Sequence, residues 1–135
     1  MKLTQKIFGL KRISPFDRLG YSELVAIAEI TKIKRFGPGE RVIASGHILQ
    51  RLFAVIEGKI ERPDGSAIAP VFGIHSLLDE RPIDADLTAG EQGAVCLLIS
   101  KGHFYRILNE FPEFTLGFLP WIDPRDTGQD EEARS

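Results

Sequence analysis

The sequence is poor in cysteine, in long apolar runs and in net charge, and each shortage excludes a class of protein. The only cysteine, Cys96, cannot form a disulfide within the chain, and its place in an apolar run predicts a buried thiol. No segment approaches the roughly 18 consecutive apolar residues that a membrane-spanning helix requires. A formal net charge of -2 gives no electrostatic basis for binding nucleic acid. We therefore expect a protein that by itself binds neither membranes nor nucleic acid.

Patterns of catalytic and metal-binding residues are also missing. The histidines His47, His75 and His103 are each 28 residues from the next, which matches no known spacing of metal ligands. No Ser-His-Asp pattern, phosphate-binding glycine loop or paired CxxC motif occurs. The N-terminus lacks the continuous apolar core and cleavage site of a secretion signal. We expect a cytoplasmic protein that is not an enzyme and needs no cofactor or metal.

The 135 residues suffice for one domain with a substantial core. Apolar residues at helical spacing, then short β-type runs, then a second helical stripe predict the order of elements. Residues 123–135 contain no apolar side chain except one alanine, which is typical of a disordered polar tail. The predicted divisions are a single domain over 1–122, with an N-terminal helix at about 16–33, a β-roll at about 34–100 and C-terminal helices at about 101–119.

The central part of the chain has the pattern of short strands and turns that is typical of an antiparallel β-structure. Gly-Pro-Gly at 37–39 breaks any helix and sets a tight turn, after which glycine-rich turns separate short apolar runs. A turn is also expected between Gly90 and Gly93. Such a series is typical of a sandwich or barrel. The predicted strands are 41–44, 52–57, 59–61, 68–71, 86–89 and 94–100.

Residues 72–87, FGIHSLLDERPIDADL, which we call the cassette, resemble the phosphate-binding cassette of the cyclic nucleotide-binding domain family. Three other segments are similar to that family in the same order: 34–43, 46–58 and 96–111. The resemblance implies a mainly β protein with flanking helices, built on an eight-stranded antiparallel β-roll of the jelly-roll type. In that family the β-roll is a sensor that moves a neighbouring effector when ligand binds.

The two polar anchors of the family's cassette are missing. Its members have a glutamate that holds the ribose hydroxyl and an arginine that holds the cyclic phosphate; Ile74 and Ile83 occupy these positions here. A phosphate buried without a counter-charge costs several kcal/mol, whereas burying an isoleucine side chain contributes about 1.5–3 kcal/mol. We therefore expect a filled pocket and a cyclic nucleotide site that no longer functions.

The resulting hypothesis is a non-catalytic regulatory or interaction module that acts in signal transduction through a protein partner or self-association. The alternative is a sensor for a cyclic nucleotide or another anion, in which Arg81, His75 and the amides of the cassette replace the missing anchors. Without such a role, Arg81 is expected to be a solvated surface charge. If the pocket functions, the residues that the resemblance assigns to it are Gly73, Ile74, His75, Ser76, Arg81, Pro82, Ile83, Asp84 and Ala85.

Large apolar side chains gather near the end of the chain, at Phe114, Phe118, Leu119 and Trp121. Their simplest role is to cover one end of the β-roll as part of the core. If some of them are exposed, they form a possible interface with a partner.

Overall fold

The computed structural model describes residues 1–117 as a five-stranded antiparallel sheet with helices packed on one side. The predicted fold class is confirmed. The predicted tail, the domain boundary at 122 and the candidate interface residues Phe118, Leu119 and Trp121 lie outside the described residues. The helices are α1 (Leu3–Lys11), α2 (Tyr21–Ile30), α3 (Ile74–Asp79), α4 (Lys101–Glu110) and α5 (Pro112–Gly117), with a 3-10 turn at Phe16–Arg18. The strands are β1 (Lys32–Phe36), β2 (Arg41–Ile43), β3 (Arg51–Glu61), β4 (Val71–Phe72) and β5 (Leu87–Ser100).

The N-terminal region contains a helix that the sequence reading did not predict. In α1 the apolar residues Leu3, Ile7 and Leu10 follow a helical spacing, and Ile7 and Leu10 are buried. The single helix predicted over about 16–33 is instead a 3-10 turn followed by α2. The chain is extended at Leu19 and Gly20, where the Gly20 amide donates to the Glu23 carboxylate, so the helical residues are interrupted there.

Two long strands replace several of the short ones that were predicted. β3 runs through Gly58, and β5 runs through Gly90 and Gly93, so the turn expected between these last two residues is wrong. β3 and β5 pair along most of their length, with register shifts near Val55 and Gly58. Glycine here marks irregularities within the ladder, where the two backbones approach closely, and not the end of a strand. The resemblance implies eight strands, whereas the described residues form five.

Alternating side chains of β3 and β5 divide the core into two layers, as the two-residue period of a strand requires. On one face, Leu52, Ala54, Leu97 and Ile99 pack against the helices. On the other face, Phe53, Val55, Ala94, Cys96 and Leu98 form the interior of the roll. The cassette joins both layers, because α3 packs against the helix-side core and the residues after it border the roll interior.

Among residues 1–117, no helix is both long enough and apolar enough to cross a membrane.

Candidate ligand pocket at the cassette

Within the cassette, helix α3 is flanked by two residues in left-handed backbone conformations. Gly73 has φ +102° and immediately precedes α3, while Glu80, with φ +54°, terminates it. The hydroxyl of Ser76 donates to the carbonyl oxygen of Arg81, at 2.5 Å, and so fixes the turn that follows the helix. The helix is thereby held as one short unit between two sharp changes of direction.

Two backbone hydrogen bonds attach the second half of the cassette to the β-roll. The amide of Ile83 donates to the carbonyl of His47, and the amide of Gly46 donates to the carbonyl of Ile83, both at 2.8 Å. The carboxylate of Asp86 accepts a further hydrogen bond from the amide of Ser45, at 2.7 Å. His47 therefore holds the cassette through its backbone.

An open cavity of about 350 Å³ lies between the cassette and the edge of the roll. Its volume falls in the range of small-molecule sites, roughly 300–1,000 Å³. The expectation of a filled pocket is therefore wrong. It fails because Ile74 turns into the helix-side core, where it is 3% exposed, and Ile83 packs against the interior of the roll. Both isoleucines line the cavity without filling it.

Eight of the nine predicted pocket residues line this cavity; Ala85 does not. Six further lining residues were missed, and they come from the segment after β3, from β4 and from the start of β5. Phe72 and Leu87 are the two end residues of the cassette, which was their only signal, and nothing in the sequence pointed to the other four. The missed residues are Arg62, Ile68, Ala69, Val71, Phe72 and Leu87.

The cations at the cavity lie close to carboxylates. The guanidinium of Arg81 is 4.0 Å from the Asp79 carboxylate, and that of Arg62 is 3.8 Å from the Asp84 carboxylate. The Arg81 side chain is only 29% exposed, so it is more enclosed than the solvated charge that was expected. Such partly exposed pairs contribute little stability, about 0–1 kcal/mol. In the cavity, these carboxylates place negative charge beside the two arginines that could attract an anion.

His75 has an unusual environment within the cavity lining. Its Nδ1 atom is buried without a hydrogen-bond partner among the described residues, and it lies 3.8 Å from the Asp79 carboxylate, one helical turn away. A buried nitrogen without a partner is costly to the folded state. The imidazole is thus a polar group of the cavity that the folded chain leaves incompletely satisfied.

Within residues 1–117 there is no cluster of three or more histidine, cysteine, aspartate or glutamate side chains that could hold a metal ion. Cys96 lies on the opposite side of its strand from the helices, fully buried in the roll interior, and burial raises the pKa of its thiol to about 12. The thiol is therefore protonated at neutral pH and is not an accessible nucleophile.

Phe114 is fully buried against Phe16, with ring centroids 4.9 Å apart, so it is a core residue and offers no interface surface.

No family model matches the sequence, and no curated protein is similar enough in sequence to count as a relative. Solved structures do share the fold. The catabolite activator protein of Thermus thermophilus matches with a TM-score of 0.69 and 20% identity over 88% of this chain and 61% of its own. The N-terminal domain of a transcriptional regulator from Streptomyces coelicolor matches with a TM-score of 0.67 and 24% identity, over 93% of this chain and 94% of that domain.

A third similar structure is the regulatory subunit of a cAMP-independent protein kinase A from Trypanosoma cruzi, bound to guanosine. Its TM-score is 0.70 at 19% identity, over 98% of this chain and 50% of that chain. The chain thus spans about three fifths of the Thermus protein and half of the Trypanosoma subunit. These likenesses confirm the predicted resemblance: the chain has the fold of a cyclic nucleotide-binding domain, and its structural neighbours are regulatory proteins.

Proposed function

We propose that the chain is a non-catalytic regulatory module that has kept the cyclic nucleotide-binding fold and lost the chemistry that holds a cyclic phosphate. The observation that carries this proposal is the environment of Ile83, at the position of the family's phosphate-binding arginine. Its amide and carbonyl are both bound to the β-roll, and its side chain packs on the roll interior. The position is fixed in place and presents only hydrocarbon to the cavity.

The remaining cations do not compensate for the missing arginine. A guanidinium bound to a phosphate supplies charge-assisted hydrogen bonds of about 1.5–3 kcal/mol each. Here Arg81 and Arg62 lie within 4.0 Å of Asp79 and Asp84. A phosphate entering the cavity would therefore compete with a carboxylate for each arginine and would meet Asp84 in the wall.

The regulatory part of the proposal is supported by the structural neighbours, which are a catabolite activator protein, a transcriptional regulator and a protein kinase regulatory subunit. In this proposal the module acts in signal transduction by contact with a separate effector protein. Its output is a change in that contact and not a chemical reaction.

A second candidate function is a sensor for a small ligand that carries no phosphate. The open cavity of about 350 Å³ favours it, because its wall combines apolar side chains such as Phe72 and Ile83 with the polar groups of His75 and Arg81. The Trypanosoma cruzi neighbour with the same fold is bound to guanosine, a nucleoside without phosphate. A nucleoside, which is uncharged, is therefore the first ligand class to test, and a small anion held by Arg81 and His75 is the second.

Isothermal titration of the purified chain with cAMP, cGMP and guanosine distinguishes these functions. We expect no micromolar binding of either cyclic nucleotide by the unchanged chain. In Ile83→Arg the restored guanidinium should raise cyclic nucleotide affinity at least tenfold, since one charge-assisted hydrogen bond contributes about 1.5 kcal/mol or more. Ile83→Leu is the matched control, which keeps the packing and adds no charge.

Micromolar binding of cAMP or cGMP by the unchanged chain would contradict the loss of the cyclic phosphate site. If that binding also disappeared in Arg81→Ala but persisted in Arg106→Ala, an exposed arginine of α4, then Arg81 would be the replacement anchor. Binding of guanosine alone would support the phosphate-free sensor.

A further inference from the structure

The N-terminal helix α1 has one side packed on the domain and one side open to solvent. Ile7 and Leu10 are buried, whereas Phe8 is 76% exposed, the highest value among the large apolar side chains within residues 1–117. Met1 is 37% exposed and borders the same surface groove as Phe8. The open side of the helix therefore presents two large apolar side chains to the outside.

Phe8 is held in this outward position by the close approach of α1 to β3. A β-carbon at Gly9 would lie 2.8 Å from the Cβ of Ile56, so the helix can come this close to the strand only with glycine there. The guanidinium of Arg12 donates to the carbonyl oxygen of Ile56 at 3.1 Å. Because these contacts and the buried residues fix the inner side of the helix, Phe8 stays on the outer side.

The cations of α1 surround this apolar side chain. Residues 1–16 contain four basic side chains and no acidic one: Lys2, Lys6, Lys11 and Arg12. Lys11 and Arg12 follow Phe8 by three and four residues, so they lie about one turn from it on the helix surface. None of the ion pairs within residues 1–117 involves these cations. Their charge is therefore not neutralised by a carboxylate of the described chain.

Strand β1 extends the positive surface. The ammonium group of Lys6 donates to the carbonyl oxygen of Thr31 at 3.0 Å, and Thr31 immediately precedes β1. Lys32, Lys34 and Arg35 of that strand are exposed. Basic side chains from two separate elements thus belong to one region of the surface.

An anionic lipid bilayer complements this surface. Residues 1–35 contain eight basic and three acidic side chains, whereas residues 36–135 contain nine and 16, so the whole-chain charge of -2 conceals a positive N-terminal region. Basic clusters beside projecting apolar side chains are typical of proteins that lie on anionic membranes. A stable protein contact buries about 800 Å² on each partner. A single ring among flexible cations does not provide such an area, but it suffices for shallow insertion between lipid headgroups.

We propose that this surface docks on an anionic phospholipid bilayer. Phe8 and Met1 enter the boundary between headgroups and acyl chains, while Lys2, Lys11 and Arg12 lie beside the lipid phosphates. The cations of β1 attract the same membrane at longer range, within about 10 Å at ordinary salt. The contact is peripheral and reversible, and it does not depend on what the cassette binds.

Vesicle sedimentation of the full chain tests the proposal, with vesicles of phosphatidylcholine alone and vesicles in which about 30% of the lipid is phosphatidylserine. At about 50 mM salt the chain should bind the anionic vesicles at least tenfold more tightly, and the difference should shrink at about 200 mM salt because of screening. Phe8→Ser should weaken binding to the anionic vesicles about tenfold, because it removes the ring whose transfer out of water favours binding. Ile48→Ser, in the loop before β3, is the matched control, since Ile48 is 42% exposed.

A second pair of variants tests the charges. Lys11→Gln should weaken binding to the anionic vesicles about fivefold, as expected for one cation near a charged membrane. Arg106→Gln removes a charge from an exposed position on α4 and should leave binding unchanged. Thermal unfolding of each variant shows that it remains folded.

Three results would overturn the proposal. The unchanged chain would fail to bind anionic vesicles at low salt. Phe8→Ser and Ile48→Ser would lower binding equally, which would show that Phe8 does not enter the bilayer. Soluble polyglutamate would bind as tightly as anionic vesicles, which would assign the surface to an acidic protein partner. None of these results bears on the nucleotide titrations, so the function proposed for the cassette is tested separately.

Discussion

Replacement of Gly73 by alanine should destabilise the protein well beyond the ordinary cost of a left-handed residue. Gly73 has φ +102°, which an L-residue adopts at a cost of about 1–2 kcal/mol. A β-carbon there would also lie 3.1 Å from the carbonyl oxygen of Arg51 and 3.2 Å from a methyl group of Leu49. Arg51 is paired with Ser100 in the ladder between β3 and β5, so its carbonyl cannot move away without disturbing that ladder.

Gly65 supplies a matched control for this prediction. Its φ is +87°, but a β-carbon there would meet no atom within 4 Å. Gly65→Ala should therefore show the backbone cost alone, about 1–2 kcal/mol. Gly73→Ala should cost about 1–2 kcal/mol more, because crowding in a packed region adds a penalty of that order.

Urea unfolding of the unchanged chain and both variants measures the two costs, provided that the slope of the transition stays the same. A difference of 1 kcal/mol corresponds to about 3–5 °C in Tm for a chain of this size. Equal losses in the two variants would refute the reasoning, since they would mean that the contacts of Gly73 with Arg51 and Leu49 carry no cost. A smaller loss at Gly73 than at Gly65 would refute it more strongly.

Two further predictions concern the core. Burial raises the pKa of the Cys96 thiol from 9.0 to about 12, so the folded state favours the protonated form; stability is full below pH 9 and falls as the pH rises toward 12. At pH 10 the free energy of unfolding should be about 1.4 kcal/mol lower than at neutral pH because of this thiol, and Cys96→Ala should lack that loss. Unfolding by guanidinium chloride measures both chains, and an equal pH dependence in the two would contradict the prediction. Phe114→Ala should cost about 3–5 kcal/mol by leaving a cavity beside Phe16. Leu116→Ala, on the same helix but 57% exposed, should cost less than about 0.5 kcal/mol in the same assay, and similar losses would show that Phe114 is not a core residue.

The fold could be predicted from the sequence to the extent that each element leaves a local pattern. The strands and the break at residues 37–39 leave such patterns, and the resemblance supplied their arrangement. Glycine was ambiguous, because the same residue marks a turn and an irregularity inside a continuous strand. The turn expected at Gly90–Gly93 failed for this reason. Helix α1 had a usable signal in the spacing of Leu3, Ile7 and Leu10, which the intervening charges obscured.

The sequence predicted only part of the residues of the candidate site, and it did not predict the shape of the site. The missing charges at Ile74 and Ile83 can be read directly from the sequence. Whether these side chains fill the cavity depends on the position of the cassette against the roll. That position is fixed by hydrogen bonds between the backbone of Ile83 and the backbone groups of Gly46 and His47. Backbone groups are the same in every residue, so their pairing leaves little trace in the sequence.

The contacts of α3 connect the cavity to the helices. Ile74 borders the cavity and is also buried in the helix-side core, while Leu77, one turn later, is fully buried in the same core. The hydroxyl of Tyr105, on α4, donates to the carbonyl oxygen of Leu77 at 3.0 Å. Because closely packed cores do not deform continuously, a displacement of α3 must either move α4 or break these contacts. Under the proposed function, isoleucine at positions 74 and 83 would change which molecule binds the pocket, while the physical connection between the pocket and the helices stays in place.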